Sequence, residues 1–442
     1  MIRKFCQTLF AAAAAVLPAS AQSAMSLHDC MAYAVSHSTR MRILEADASD
    51  ARIERRNAAL ALFTPQISAT TYAYYNFGRS IDPQTNTYFT QTSFHNNYGI
   101  SAGYELFDGF RAVNNLKISM TGLLISESEQ KQAEADICLA VMEAYCNAVY
   151  YKRLADIYEE LAALAETVLR KARREEELGL KSHADVVQTE AELAERRYES
   201  ANACNSWRSH LTTLSDLMFW PLDHELVIDS GLPPIEPEPV SAGSVTDFAL
   251  TNAPALLIAG YRTENARREL STAKGQLLPS VGLYAGWNTS CYTYAGALTE
   301  PFARQFRNNG GEYVQLSISV PLYSRLLAHS RVSLKRNALT RAQAEYDRKR
   351  RDVETEVRRA VQDRDGAAFA YDCAQRKAEV QDEAYRLHLK KLEQGLISPL
   401  EFQTASGNFL KAKADEMHSL LTYFIRQAVV RYYSGIDYLD QN

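Results

Sequence analysis

The chain has 442 residues, 46% of them hydrophobic and 23% charged, with 48 Lys and Arg against 53 Asp and Glu for a formal net charge of −5. That near-neutral balance, in which no Lys/Arg run suggests an electrostatic stripe, excludes a reader of nucleic acid. No apolar stretch reaches the ~18–20 residues of a spanning helix, which excludes an inner-membrane helix bundle.

Residues 1–21 read as a secretory signal peptide: Arg3 and Lys4 come first, an apolar run follows from Phe5 to Leu17, and Ala19-Ser20-Ala21 closes the segment. Its removal leaves 46 basic against 53 acidic residues, a net charge of −7. Cys6 leaves with it, and its place near the start does not suit a lipid-anchored cysteine. Cys30, Cys138, Cys146, Cys204, Cys291 and Cys373 remain, scattered and without CxxC spacing. They form neither a metal knuckle nor a disulfide framework and read as buried small hydrophobes.

The mature chain is a duplication. Phe63-Thr64-Pro65-Gln66-Ile67 answers Leu277-Leu278-Pro279-Ser280-Val281, the prolines 214 residues apart. Tyr104-Glu105-Leu106-Phe107 answers Val320-Pro321-Leu322-Tyr323, and Gly179-Leu180-Lys181-Ser182 answers Gly395-Leu396-Ile397-Ser398, both at an offset of 216. The segment between the last two landmarks therefore has one length in both halves, as two helices measured against one ruler would. The first repeat is 22–220, the second 245–435, with a proline-rich linker at 221–244 and a tail at 436–442.

Each repeat opens with short helices and a β-hairpin, 65–107 and 279–323. In the first, Ile67, Ala69, Thr71, Ala73 and Tyr75 share a face, then Tyr98, Ile100, Ala102, Tyr104 and Leu106 do, opposed by Asn97, Gly99, Ser101, Gly103 and Glu105. In the second, Val281, Leu283, Ala285 and Trp287 share a face, then Val314, Leu316, Ile318, Val320 and Leu322, opposed by Gln315, Ser317 and Ser319. Strands of about ten residues, apolar on one face and small or polar on the other, suit a barrel wall with lipid outside and water inside. Soluble hairpins packed on a helix are the other reading of the same pattern. Four strands cannot close a membrane barrel, and an open edge in lipid is forbidden, so spanning strands require several chains. The hairpin connections, Phe77 to Phe94 and Asn288 to Gly311, are long, as extracellular loops are; the other ends join helices, which places those helices in the periplasm.

Long helices follow at 108–178 and 324–394. A seam runs Ile137, Val141, Ala144, Ala148, Tyr151, Ala155, Tyr158, Ala162, Ala165, Leu169 and Ala172 in alternating steps of four and three, the signature of a coiled coil. About seventy residues at 1.5 Å each make a shaft of about 100 Å. Gly179 and Gly395 suit a left-handed helix end. Ser182-x-x-Asp185 and Ser398-Pro399-x-Glu401 read as capping boxes that start return helices at 183–219 and 399–433.

These landmarks resemble the TolC-like outer-membrane efflux protein family, over essentially the whole mature chain. The carriers are the start Ser26-Leu27 to Ala34, the Leu277-Leu278-Pro279 strand start, the Pro321-Leu322-Tyr323 strand end, and the two tip glycines each followed six residues on by an acid. The fold class is thus mainly α with β: duplicated long antiparallel coiled-coil hairpins plus four amphipathic strands contributing to a trimeric 12-stranded outer-membrane β-barrel. The resemblance implies a homotrimeric exit duct in the outer membrane of a Gram-negative bacterium, narrowing at a periplasmic tip. It also implies a periplasmic adaptor and, through it, an inner-membrane transporter of a tripartite efflux or type I secretion system. No nucleic acid and no cofactor are implied.

Tip residues carry over by position. Asp185 and Glu401 fall where the family often places acids at the constricted aperture, a ring that would favour cations; each also reads as the N3 partner of a capping box, the reading favoured for Asp185. Thr404 stands where some members carry a further acid, and Leu392 and Ile397 where some carry a tyrosine and an arginine that latch the closed tip. The turns Gly179, Leu180, Lys181, Ser182 and Gly395, Leu396, Ile397, Ser398 are candidate adaptor-docking tips, since Leu180, Leu396 and Ile397 need a cover; packing within the trimer would supply it as well. An enzyme is disfavoured, because no HExxH, GxSxG or phosphate-cradling glycine loop occurs. A periplasmic adaptor normally carries one such hairpin flanked by compact β domains, and a surface stalk lacks equal hairpins pointing inward from a barrel.

Overall fold

The computed structural model describes residues 24–81, 85–90, 92–231, 241–295 and 300–441. The signal-peptide segment and the core of the proline-rich linker lie outside them. The elements run α1 (Leu27–His37), α2 (Thr39–Phe63), β1 (Gln66–Asn76), β2 (Arg79–Ile81), β3 (Tyr88–Thr90), β4 (Ser93–Phe107), α3 (Arg111–Glu177) and α4 (His183–Leu217). The second half has α5 (Ala242–Asn252), α6 (Pro254–Gly275), β5 (Ser280–Tyr294), α7 (Phe302–Asn308), β6 (Gly311–Ser319), α8 (Leu327–Glu393), α9 (Pro399–Tyr433) and a 3-10 turn at Tyr438–Asp440. The long helices α3 and α8 each have 67 residues, and α4 and α9 each have 35. No described helix is long and apolar enough to cross a membrane.

Contacts divide the chain into two compact units that cut across the sequence repeats. One comprises the chain up to Thr39, Glu134–Ala242 and the chain from Arg359; the other comprises Arg40–Ala133 and Gly243–Arg358. Both halves of the duplication contribute to each unit, and α3 and α8 run through both.

In the sheet-bearing unit the strand order is β1-β4-β5-β6, antiparallel throughout, which leaves β1 and β6 as edges. The registers align Ile67 with Ala102, Ala102 with Ala285 and Ala285 with Val314 on one face. The opposite face aligns Ser68, Ser101, Gly286 and Tyr313. Ile67, Val314, Leu316 and Ile318 are 60–80% exposed, so the apolar face is uncovered. β4 and β5 are longer than the alternation suggests, and β6 is shorter: Val320 to Leu322, expected as strand, lie outside it. Pro321 has no N–H to give a ladder there.

The step from strand to helix is made identically in both repeats. Gly109 and Phe110 are left-handed, with φ of 70° and 66°, and Arg325 and Leu326 repeat this at 52° and 61°. Glycine is required only at the first site, because a Cβ on Gly109 would lie 2.2 Å from the carbonyl oxygen of Gly275. Farther along α3, Asn114 Nδ2 donates to Ser271 Oγ at 3.3 Å, and Glu129 pairs with Arg262 at 3.0 Å.

The other unit holds the main core. Cys138, Val141, Met142, Tyr145, Cys146 and Val149 of α3 pack on Cys30 and Met31 of α1, Leu214 of α4 and Leu421 of α9. Each fully buried large apolar side chain contributes about 1.5–3 kcal/mol. Residues after α4 strap this core: Met25 bridges Ile228 in parallel, and Tyr145 Oη donates to the Asp229 carbonyl. Burial pushes the thiols of Cys30, Cys138 and Cys146 up to about 12. Cys291 is also buried, but Cys204 is half-buried and Cys373 exposed. The expectation of uniformly buried cysteines therefore fails at Cys373, which falls off the packed seam of α8.

Candidate functional site at the hairpin tips

Both tips belong to the unit just described, and the same local chemistry builds them. After α3, Gly179 takes φ 73°, its N–H donates to Glu176 O at 2.8 Å, and Leu180 N–H donates to Glu175 O at 2.7 Å. After α8, Gly395 takes φ 72°, its N–H donates to Leu392 O at 3.0 Å, and Leu396 N–H donates to Lys391 O at 2.8 Å. Each pair of bonds satisfies the last carbonyls of a helix while reversing the chain. Lys171 Nζ donates to Glu393 O at 2.7 Å, tying the end of α3 to the end of α8.

The two restarts differ. At Ser182 the capping box is complete: Asp185 N–H donates to Ser182 Oγ at 3.3 Å, and Asp185 Oδ2 accepts from Ser182 N at 3.2 Å and Ser182 Oγ at 2.8 Å. At Ser398 only half forms. Glu401 N–H donates to Ser398 Oγ at 3.2 Å, but among the described residues the Glu401 carboxylate makes no return bond. The second capping box expected from the sequence is thus corrected to a single cap, and the exposed carboxylate of Glu401 is uncommitted. Asp185 is half-buried and its carboxylate is held. Thr404 Oγ1 donates back to Leu400 O at 3.1 Å within its own helix.

Lys181 is held by Glu175 at 2.9 Å. Leu180 and Leu396 are 73% and 69% exposed, whereas Ile397 is half-buried. Leu392 is buried, and with Phe402, Leu161 and Arg196 it lines a narrow cavity between the hairpins.

Arg196 carries no signature among known motifs, and its signal is periodicity alone. Val186, Thr189, Leu193 and Arg196 are buried at steps of three, four and three along α4, so a cation occupies a seam position that normally takes an apolar side chain. Its guanidinium donates to Glu199 Oε2 at 2.9 Å and to Glu192 Oε1 at 3.4 Å. Burial pushes the Glu192 carboxyl above the usual range, with Arg196 working against it. Among the described residues no group of three or more His, Cys, Asp and Glu is placed to hold a metal.

Four antiparallel strands with one exposed apolar face thus alternate along the chain with two equal helical hairpins. The chain belongs to the outer membrane efflux protein family, which it matches over residues 34–218 and 245–434. It is 25% identical over 327 residues to the outer membrane efflux protein BepC of Brucella suis biovar 1, covering 72% of this chain and 65% of that one, a little under two-thirds. It is 25% identical over 390 residues to the alkaline protease secretion protein AprF of Pseudomonas aeruginosa, covering 82% and 75%. Its fold matches the outer membrane protein VceC of Vibrio cholerae with a TM-score of 0.77 at 15% identity, covering 92% of this chain and 96% of that one.

Proposed function

We propose that the protein is the outer-membrane exit duct of a tripartite efflux or type I secretion system, working as a homotrimer. The observation that carries this is the four-stranded sheet with its bare apolar face and two unpaired edges. Lipid tolerates no unpaired strand edge, so β6 of one copy pairs with β1 of the next, and three copies close twelve strands around a water-filled bore. BepC, by name an efflux protein, and AprF, by name a protease secretion protein, leave the cargo open between small molecules and polypeptide. The duct is passive, with no catalytic residues. It takes its cargo from an inner-membrane transporter through a periplasmic adaptor.

In this reading the tips are the inner aperture and the docking points. The exposed Leu180 and Leu396 would be covered by an adaptor's helical hairpin. The free carboxylate of Glu401 is better placed than that of Asp185 to form an ionic ring, and Thr404 adds no charge beside it.

The test is fractionation followed by electrophysiology. The protein should sediment with the outer membrane, run as a trimer in mild detergent, and give discrete conductance steps in a planar bilayer. A soluble periplasmic monomer, as an adaptor could be, would refute the duct. A trimer on the outer membrane that never conducts would favour a surface stalk.

A further inference from the structure

The polar face of the sheet holds a feature that belongs to neither tip. Through the described strands this face carries Ser, Thr, Asn, Gln, Gly, Tyr and His95, and Glu105 is its one carboxylate. Glu105 stands two residues from the end of β4, close to the start of α3. That is the inner end of the barrel wall, where the bore passes into the helical section. A concavity of about 610 Å³ opens over it, lined by Gln66, Ser68, Ser101, Tyr284 and Gln315.

The carboxylate is held by a built arrangement. Tyr284 Oη donates to Glu105 Oε1 at 3.1 Å. It reaches Glu105 because its ring lies flat on the wall, over two positions that have no side chain. A Cβ on Gly103 would stand 3.1 Å from the ring, and a Cβ on Gly282 would stand 2.8 Å from both the ring and its oxygen. Gly103 pairs directly with Tyr284, and Gly282 with Glu105. Tyr313 lies down in the same way over Gly286. The glycines thus lower two large rings out of the bore while fixing one negative charge on its wall.

We propose that Glu105, repeated in the three copies, forms a carboxylate ring at the base of the barrel that favours cationic and repels anionic solutes, a selectivity element separate from the hairpin tips. This rests on the trimeric-duct reading above. In a lumen walled by protein and lipid, charges at one height act together on whatever passes.

Current through the whole duct is governed by its narrowest section, so the test reads the potential beside the ring itself. Ser317 pairs with Gly282, which pairs with Glu105, so it lies two strand spacings, about 10 Å, from the carboxylate. In a protein carrying Ser317→Cys and Cys373→Ser in a planar bilayer, the modification rates of the introduced thiol would be measured with a cationic trimethylammonium-ethyl and an anionic sulfonato-ethyl methanethiosulfonate, added from the outer side. At ~0.1 M KCl, where the Debye length is about 10 Å, three charges at this range should make the cation-to-anion rate ratio about threefold higher with Glu105 than with Glu105→Gln. At ~1 M salt the difference should collapse. Gln keeps an acceptor for Tyr284, and conduction verifies that the variant assembles. Equal ratios in conducting Glu105 and Glu105→Gln channels overturn the ring and leave the duct intact. Failure of the parent protein to conduct overturns the duct.

Discussion

Replacing Arg196 by Met removes a cation that is 7% exposed at its side chain and leaves Glu192, 12% exposed, and Glu199, 26% exposed, without their partner. Breaking a buried pair from one side costs about 3–5 kcal/mol. The partial exposure of Glu199 argues for the lower end, about 3 kcal/mol, which is roughly a hundredfold in a local opening equilibrium. Hydrogen exchange on the intact protein should show this loss in the segments around 161–168, 189–199 and 392–406, with little change elsewhere. The pH dependence follows from Glu192. Its folded carboxyl is raised by burial, and removing Arg196 takes away the one attraction opposing that rise. Between the unfolded value near 4.5 and the folded one, the folded state then binds more protons than the unfolded state. The deficit of Arg196→Met therefore shrinks as pH falls through the raised folded value toward the unfolded value near 4.5. Adding Glu192→Gln and Glu199→Gln should restore most of the protection at pH 7.5, since an uncharged core of similar shape is tolerated. A deficit that is flat with pH and not rescued by the two amides would show that Arg196 matters only for the volume it fills.

Three further outcomes are expected. Maleimide should label Cys373 first in the folded protein, while Cys30, Cys138 and Cys146 react only on unfolding; because burial holds these thiols up to about 12 against an ordinary 9.0, stability of their unit should fall as pH rises above about 9, where only unfolded thiols ionise. Gly179→Ala and Gly395→Ala meet open space and should each cost about 1–2 kcal/mol of local stability from positive φ alone, whereas Gly109→Ala or Gly275→Ala must push apart a pair of backbones that a Cβ would approach to 2.2 and 1.9 Å and should reduce the yield of folded protein. Asp185→Ala should cost about 1 kcal/mol of exchange protection at the start of α4 through its lost capping bonds, while Glu401→Gln should leave exchange unchanged and alter single-channel cation selectivity.

Much of the scaffold was legible because it is periodic and punctuated. Gly179, Ser182, Gly395 and Ser398 marked the ends of helices that are equal in length, and the alternation around Ile100 and Leu316 marked the two-faced strands. What escaped has no local period. The connection from Asn288 to Gly311 contains α7, and its aromatic, polar composition looks like a loop; the helix stands because Gln305 Nε2 donates to Tyr292 O at 3.0 Å and its Oε1 accepts from Tyr292 N at 2.9 Å. That bond pair seals the edge of β5 beyond the end of β6, a contact thirteen residues apart that composition cannot express. Similarly, Ser398 and Glu401 have the spacing of a capping box, yet spacing does not determine whether the longer Glu side chain folds back.

The duplication explains where function should concentrate. At the shared offset of 216, structural features recur: Gly179 with Gly395, Ser182 with Ser398, and the left-handed pair Gly109-Phe110 with Arg325-Leu326. Charged groups recur less faithfully. Arg196 corresponds to the fully buried Ala412, and Glu105 to Pro321. Asp185 corresponds to Glu401, where one carboxylate is bound into its cap and the other is free. In the trimer proposed above, three copies of a perfect duplication would give a near-sixfold tube, even in charge. In that trimer each departure would turn a sixfold position into a threefold one: an ion pair in one hairpin and alanine in the other, a carboxylate at one strand end and proline at the other.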